Sequence, residues 1–132
     1  MKFARMVFLV AGIYGLAVLA PQYFLERTVG EDHPAGLTHP EYFYGFLGVA
    51  IAWQIAFFVI AHDPRRFRPM IIPSIIEKFS FTAAAAVLFI LQRVPVMILI
   101  AGLIDFTWGV LFHVAWQRLG VESRSESLPS QK

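Results

Sequence analysis

Four apolar stretches, Met6 to Leu25, Tyr42 to Ala61, Ile75 to Leu91 and Val94 to Trp116, occupy most of this 132-residue chain. Crossing the hydrocarbon core of a bilayer takes roughly 20 such residues. Lipid offers no hydrogen-bond partner for an exposed backbone group, so a segment of this kind crosses as an α-helix. Four of them predict an all-α, integral membrane four-helix bundle with antiparallel spans. The chain is 58% hydrophobic and 15% charged, with mean hydropathy +0.63, where a soluble domain carries about 25% charge. Thirteen Phe, three Trp and four Tyr add apolar surface that lipid covers better than a small core could.

Span one begins after Lys2 and Arg5, as a signal peptide would, and Val18 and Ala20 mimic a cleavage site. Pro21 would follow the cut and twenty apolar residues is long for such a segment, so an uncleaved span is expected. Lys2 and Arg5 precede span one, Arg65, Arg66 and Arg68 lie between spans two and three, and Arg118 and Arg124 follow span four. The other side has Arg27 and Arg93 beside Glu26, Glu31, Asp32 and Glu41. The positive-inside rule then makes both termini cytoplasmic. Thr38 to Glu41 and Ser74 to Glu77 each have the S/T-x-x-E spacing of a capping box, predicting helix starts there. The connection QRVP makes spans three and four antiparallel neighbours. The folded domain is expected over 1–118, and the polar tail over 119–132 is expected to be disordered.

Polar residues inside the spans are few: Gln54 in span two, Glu77 and Lys78 near the start of span three, Asp105 and His113 in span four. Gly102, Asp105, Gly109, His113 and Trp116 fall within about 80° of one another on a helix. Small residues let helix backbones approach, and ionisable groups in a membrane face the bundle interior, so Asp105 is expected to point inward. By helical rise it lies about 15 Å from Pro95, near mid-membrane. His113 lies about 12 Å further toward the cytoplasm, Gln54 about 12 Å in from His62, and Glu77 about 5 Å in from Ser74. These four could form a polar column opening to the cytoplasm, with Trp108 and Tyr14 as wall. Each also has a plainer reading: Glu77 as a cap, His113 as an interfacial group, Gln54 as interhelical glue, and Asp105 as a structural hydrogen-bonding group.

Gly45, Gly48, Ala52 and Ala56 share a face of span two roughly opposite Gln54, and Gly12 and Gly15 lie on span one. These are candidate helix-packing faces, within the chain or against another subunit. Arg65, Arg66 and Arg68 beside Phe67 suit anionic lipid headgroups. His33, His39, Glu31, Asp32 and Glu41 lie in the outer loop without a recognised metal-site spacing. His62 and His113 sit at span ends and make no haem pocket. No metal and no cofactor is expected. The absence of cysteine excludes disulfides and thiolate chemistry. A net charge of +2 without a basic stripe gives no sign of nucleic acid. No nucleotide-binding, zinc-protease or serine-hydrolase motif occurs and no residue stands out as catalytic.

The arrangement of HPEYFYGFLGVAIAWQIAFFVIAHDP, EKFSF and GLIDFTWGVLF resembles small bacterial four-span proteins of the DoxX-like kind. The resemblance covers most of the chain through span number, length and tight hairpins. It implies a compact four-helix bundle in the bacterial inner (plasma) membrane and carries over no site residue. Two functions follow as expectations. The first, favoured by the little chain outside the membrane and the missing motifs, is non-enzymatic: an accessory subunit or binding module packed on a larger membrane protein or a second copy. The alternative is an intramembrane enzyme or carrier for a sterol-, quinone- or lipid-like molecule, with its polar site around Asp105. Ion translocation ranks last, because the polar residues reach only one side.

Overall fold

In the computed structural model, which describes residues 1–26, 28 and 39–127, the chain is all helical, with no strand among the described residues. Helix α1 covers Lys2–Leu19 and continues as a 3₁₀ segment, Ala20–Phe24. Helix α2 covers Pro40–His62, α3 Arg68–Ile90 and α4 Val96–Ser127. All four are long and apolar enough to cross a bilayer. Only 17–33% of each span's most apolar stretch is buried inside the bundle. The remaining apolar surface needs lipid against it, and the chain is an integral membrane protein.

Local chemistry sets the helix ends. Pro40 and Pro69 occupy the first helical turns of α2 and α3, where a missing N–H costs nothing. Asp63 precedes Pro64, and its extended backbone ends α2; its side chain then accepts a 3.1 Å bond from the Arg66 N–H and closes the turn. Helix α3 ends in a Schellman motif, with the Arg93 N–H on the Leu88 carbonyl and the Gln92 N–H on that of Phe89, both 2.9 Å. Gln92 takes the left-handed position that glycine usually fills, at φ 58°.

The expected start of the third helix at Ser74 is incorrect. Arg68-Pro69 begins it more than a turn earlier, and Pro73 is carried inside. Ser74 is buried, its Oγ donating back to the Met70 carbonyl at 2.7 Å, and it caps nothing. The other proposed cap depends on Thr38, which lies outside the described residues. The tail also departs from expectation: α4 stays helical to Ser127. Leu119 is buried, Gly120 lies under the Arg68 guanidinium, and Glu122 holds the Met1 ammonium at 2.6 Å. Residues 119, 120 and 122 of α4 are therefore in contact with the rest of the bundle. Residues 128–132 lie outside the described residues.

Packing joins the helices as two antiparallel hairpins, α1 with α2 and α3 with α4, with α1 also lying against α4. The hairpins lock at the end that carries both termini. Phe8, Phe57 and Phe112 are fully buried there; the rings of Phe8 and Phe112 stack at 4.3 Å, and Phe57 meets Phe112 edge-on at 5.0 Å. Ala4, Ile60, Ile71, Ala115 and Leu119 complete this core. Arginines clasp the same end. Arg5 donates to the Ala61 and His62 carbonyls at the end of α2, and Arg68 donates to the Trp116 carbonyl. Arg118 covers the Phe3 ring at 4.5 Å.

Candidate functional site

Beyond the aromatic core, away from the arginine end, the two hairpins enclose a cavity of about 410 Å³ lined by all four helices. Its walls are apolar and aromatic: Tyr14 and Val18 from α1, Phe46 from α2, Phe81 from α3, and Met97, Ile100, Ile104 and Trp108 from α4. Tyr14, Val18, Phe46, Met97, Ile100 and Ile104 among them are exposed. The cavity is therefore partly open to the surroundings.

The floor is polar. Lys78 is buried, and its Nζ lies 3.3 and 3.4 Å from the two Asp105 carboxylate oxygens and 3.3 Å from Glu77 Oε1. Glu77 Oε2 lies 3.3 Å from the same nitrogen, yet it is buried and accepts no well-angled hydrogen bond. The ammonium also sits 5.5 Å above the Phe57 ring. Unpaired, either charge would cost several kcal/mol in a bilayer. Both are at depth: Lys78 is ten residues into α3 and Asp105 nine into α4, about 14–15 Å at the helical rise. Gln54 is buried beside them, its Nε2 donating to the Ala50 carbonyl at 2.9 Å. Its amide occupies the space over Gly15, where a Cβ would collide with Oε1. The absent side chain at Gly15 gives Gln54 its place.

The α3/α4 register that brings Lys78 to Asp105 is held one turn away. The Thr82 hydroxyl lies 2.9 Å from the carbonyls of both Lys78 and Gly102, bridging the helices. Gly102 fits against Ala85 and Thr82, and Gly109 against the Phe79 ring. These two glycines pack within the chain. Gly45, Gly48 and Ala52 are exposed on α2; Gly45 has no neighbour within 4 Å of where a Cβ would stand, and Gly48 has only the Tyr23 hydroxyl, at 3.6 Å.

Of the residues singled out from sequence, Asp105, Gln54, Glu77, Trp108 and Tyr14 all line this one cavity. His113 does not. It is exposed, 2.9 Å from Gln117 Nε2, because α4 turns Phe112, Ala115 and Leu119 toward the core at that depth. The column expected to open toward the termini is corrected accordingly: Phe8, Phe57 and Phe112 close that side, and the polar groups face the other way. Glu77 pairs with Lys78 rather than capping a helix. Sequence reasoning passed over Lys78, although Glu77-Lys78 lies well inside an apolar helix once Arg68-Pro69 is taken as its start. Among the headgroup candidates, Arg68 is engaged in the helix clasp, and Arg65 and Arg66 are exposed, Arg65 lying 3.9 Å from Glu122 and Arg66 over the Phe67 ring. Between α1 and α2, His33, Glu31 and Asp32 lie outside the described residues. Among the described residues no group of three or more metal-ligating side chains occurs.

No protein-family model matches the chain, and no curated protein or solved structure is significantly similar to it.

Proposed function

We propose that this protein binds a lipophilic molecule in the interhelical cavity, its polar end on Lys78, Asp105, Glu77 and Gln54 and its apolar body between Tyr14, Phe46, Phe81 and Trp108. The observation that carries this reading is one cavity of about 410 Å³ joining a charged floor to apolar walls. Small-molecule sites are typically apolar clefts of about 300–1,000 Å³ with a few placed polar groups. An apolar ligand body can enter from the bilayer through the open part of the cavity. A carrier or receptor role needs nothing more; for an enzyme, the Asp105 and Glu77 carboxyls are the proton-handling groups at hand. The arginine end is cytoplasmic on the positive-inside rule, so the cavity faces the outer leaflet. Arg65 and Arg66 then lie at the inner headgroups. The DoxX-like resemblance implies the bacterial inner membrane as location.

The test is extraction in native lipid followed by mass spectrometry of what stays bound. Wild type retains one lipophilic molecule per chain. Ala101→Phe, which adds a ring to the lining one helical turn from Asp105 and leaves the floor residues in place, loses it while remaining folded. Equal retention by both proteins, or none by wild type, refutes the reading.

A partner-binding role has its own support in the exposed Gly45-Gly48-Ala52 stripe on α2, where a second membrane helix could approach closely. It is independent of the cavity. Gly48→Leu tests it by abolishing any oligomer or co-extracted partner, and an unchanged assembly counts against it.

A further inference from the structure

We infer that the cavity selects a lipophilic cation, an amphiphile with an ammonium-type head, over neutral or anionic amphiphiles of the same body. This narrows the ligand of the cavity-binding reading and rests on it.

The floor has too many acceptors for its donors. An ionised carboxylate only accepts, with about four lone-pair sites, whereas a lysine ammonium supplies three N–H donors. Glu77 and Asp105 share the single ammonium of Lys78. Its contacts, at 3.3–3.4 Å, are longer than the roughly 2.7–2.9 Å of a tight charge-assisted bond. Lys78 is therefore divided between the carboxylates and saturates neither, and Glu77 Oε2 is left without a hydrogen bond. Neighbouring donors are partly committed elsewhere: one N–H of the Gln54 amide goes to Ala50 and the Thr82 hydroxyl to backbone carbonyls.

Charge leads to the same ligand. Two acids share one lysine here, so the floor is neutral only while one carboxyl keeps a proton, and a positive head can take that proton's place. Along α3 the next cation is Arg68, about 15 Å away by helical rise. A positive head completes both the charge and the hydrogen bonding, a hydroxyl completes only the second, and a carboxylate worsens both. Tyr14 and Trp108, whose ring centroids lie 6.0 Å apart, are lining residues of the aromatic type that attracts cations.

The experiment compares dodecylamine, dodecanol and dodecanoate, radiolabelled, on the full chain in phosphatidylcholine nanodiscs, with protein-free discs subtracted. Dodecylamine is expected to bind saturably at one per chain and at least about tenfold tighter than dodecanol, with dodecanoate weakest. Glu77→Gln is expected to weaken the amine about tenfold and the alcohol by less, so that the amine preference shrinks. Saturable binding of amine and alcohol with equal affinity overturns the cation preference and leaves the cavity reading standing. No saturable binding of any of the three overturns both. The wild-type comparison needs no variant to fold; a full amine preference surviving in both Glu77→Gln and Asp105→Asn also overturns the assignment.

Discussion

Replacing Lys78 with methionine removes the single cation from a site built on two carboxylates. The lysine side chain is 9% exposed and that of Asp105 19%. Breaking a buried ion pair by deleting one partner costs about 3–5 kcal/mol. The opening of the cavity admits some screening, which places Lys78→Met near 3 kcal/mol. Asp105→Leu is milder, about 1–2 kcal/mol, because Lys78 keeps Glu77 at 3.3 Å as counter-charge. The double variant Lys78→Met/Asp105→Leu leaves only Glu77 uncompensated. Its cost falls about 1 kcal/mol or more below the sum of the singles. Reversible unfolding in mixed micelles, followed by circular dichroism, measures all three. If Lys78→Met is no worse than Asp105→Leu, or the two costs add within about 0.5 kcal/mol, the shared-ammonium account is wrong.

Other parts of the structure make separate predictions. Gly15→Ala drives a Cβ into the Gln54 amide and should cost about 1–3 kcal/mol in the same unfolding measurement, with Gln54→Ala on the same chain restoring much of it. Gln92→Gly should stabilise by about 1 kcal/mol, since glycine adopts the left-handed position after α3 without strain, and a lowered melting temperature contradicts this. Phe112→Ala removes the ring stacked on Phe8 and edge-on to Phe57 and should cost about 3–5 kcal/mol. A thermal melt indistinguishable from wild type would show that this core is not what locks the hairpins.

The four spans were legible because lipid imposes a length and an apolar composition that Met6–Leu25 and Val94–Trp116 cannot hide. Asp105 was legible for the same reason: an acid at that depth has to face inward and find a partner. The partner itself was not, because the capping-box spacing at Ser74 and Glu77 placed a helix start where α3 is already well under way. Reading Arg68-Pro69 as the start moves Glu77 and Lys78 from the membrane boundary to its middle. His113 was misplaced because its stripe with Asp105 assumes that one face stays inward along all of α4. Instead α4 packs on α3 at Gly102 and Gly109, then turns Phe112, Ala115 and Leu119 into the shared core. Which way the polar groups open depends on where the three buried phenylalanines meet, and that contact spans three helices far apart in sequence.

An experimental structure of the full chain in native lipid tests the central claim most directly. The account predicts elongated density inside the cavity, between Tyr14 and Trp108, with one end within about 3 Å of Lys78, Asp105 or Glu77. An empty cavity closed by direct packing of α1 on α4, or density confined to α2 at the exposed Gly45 and Gly48, contradicts it.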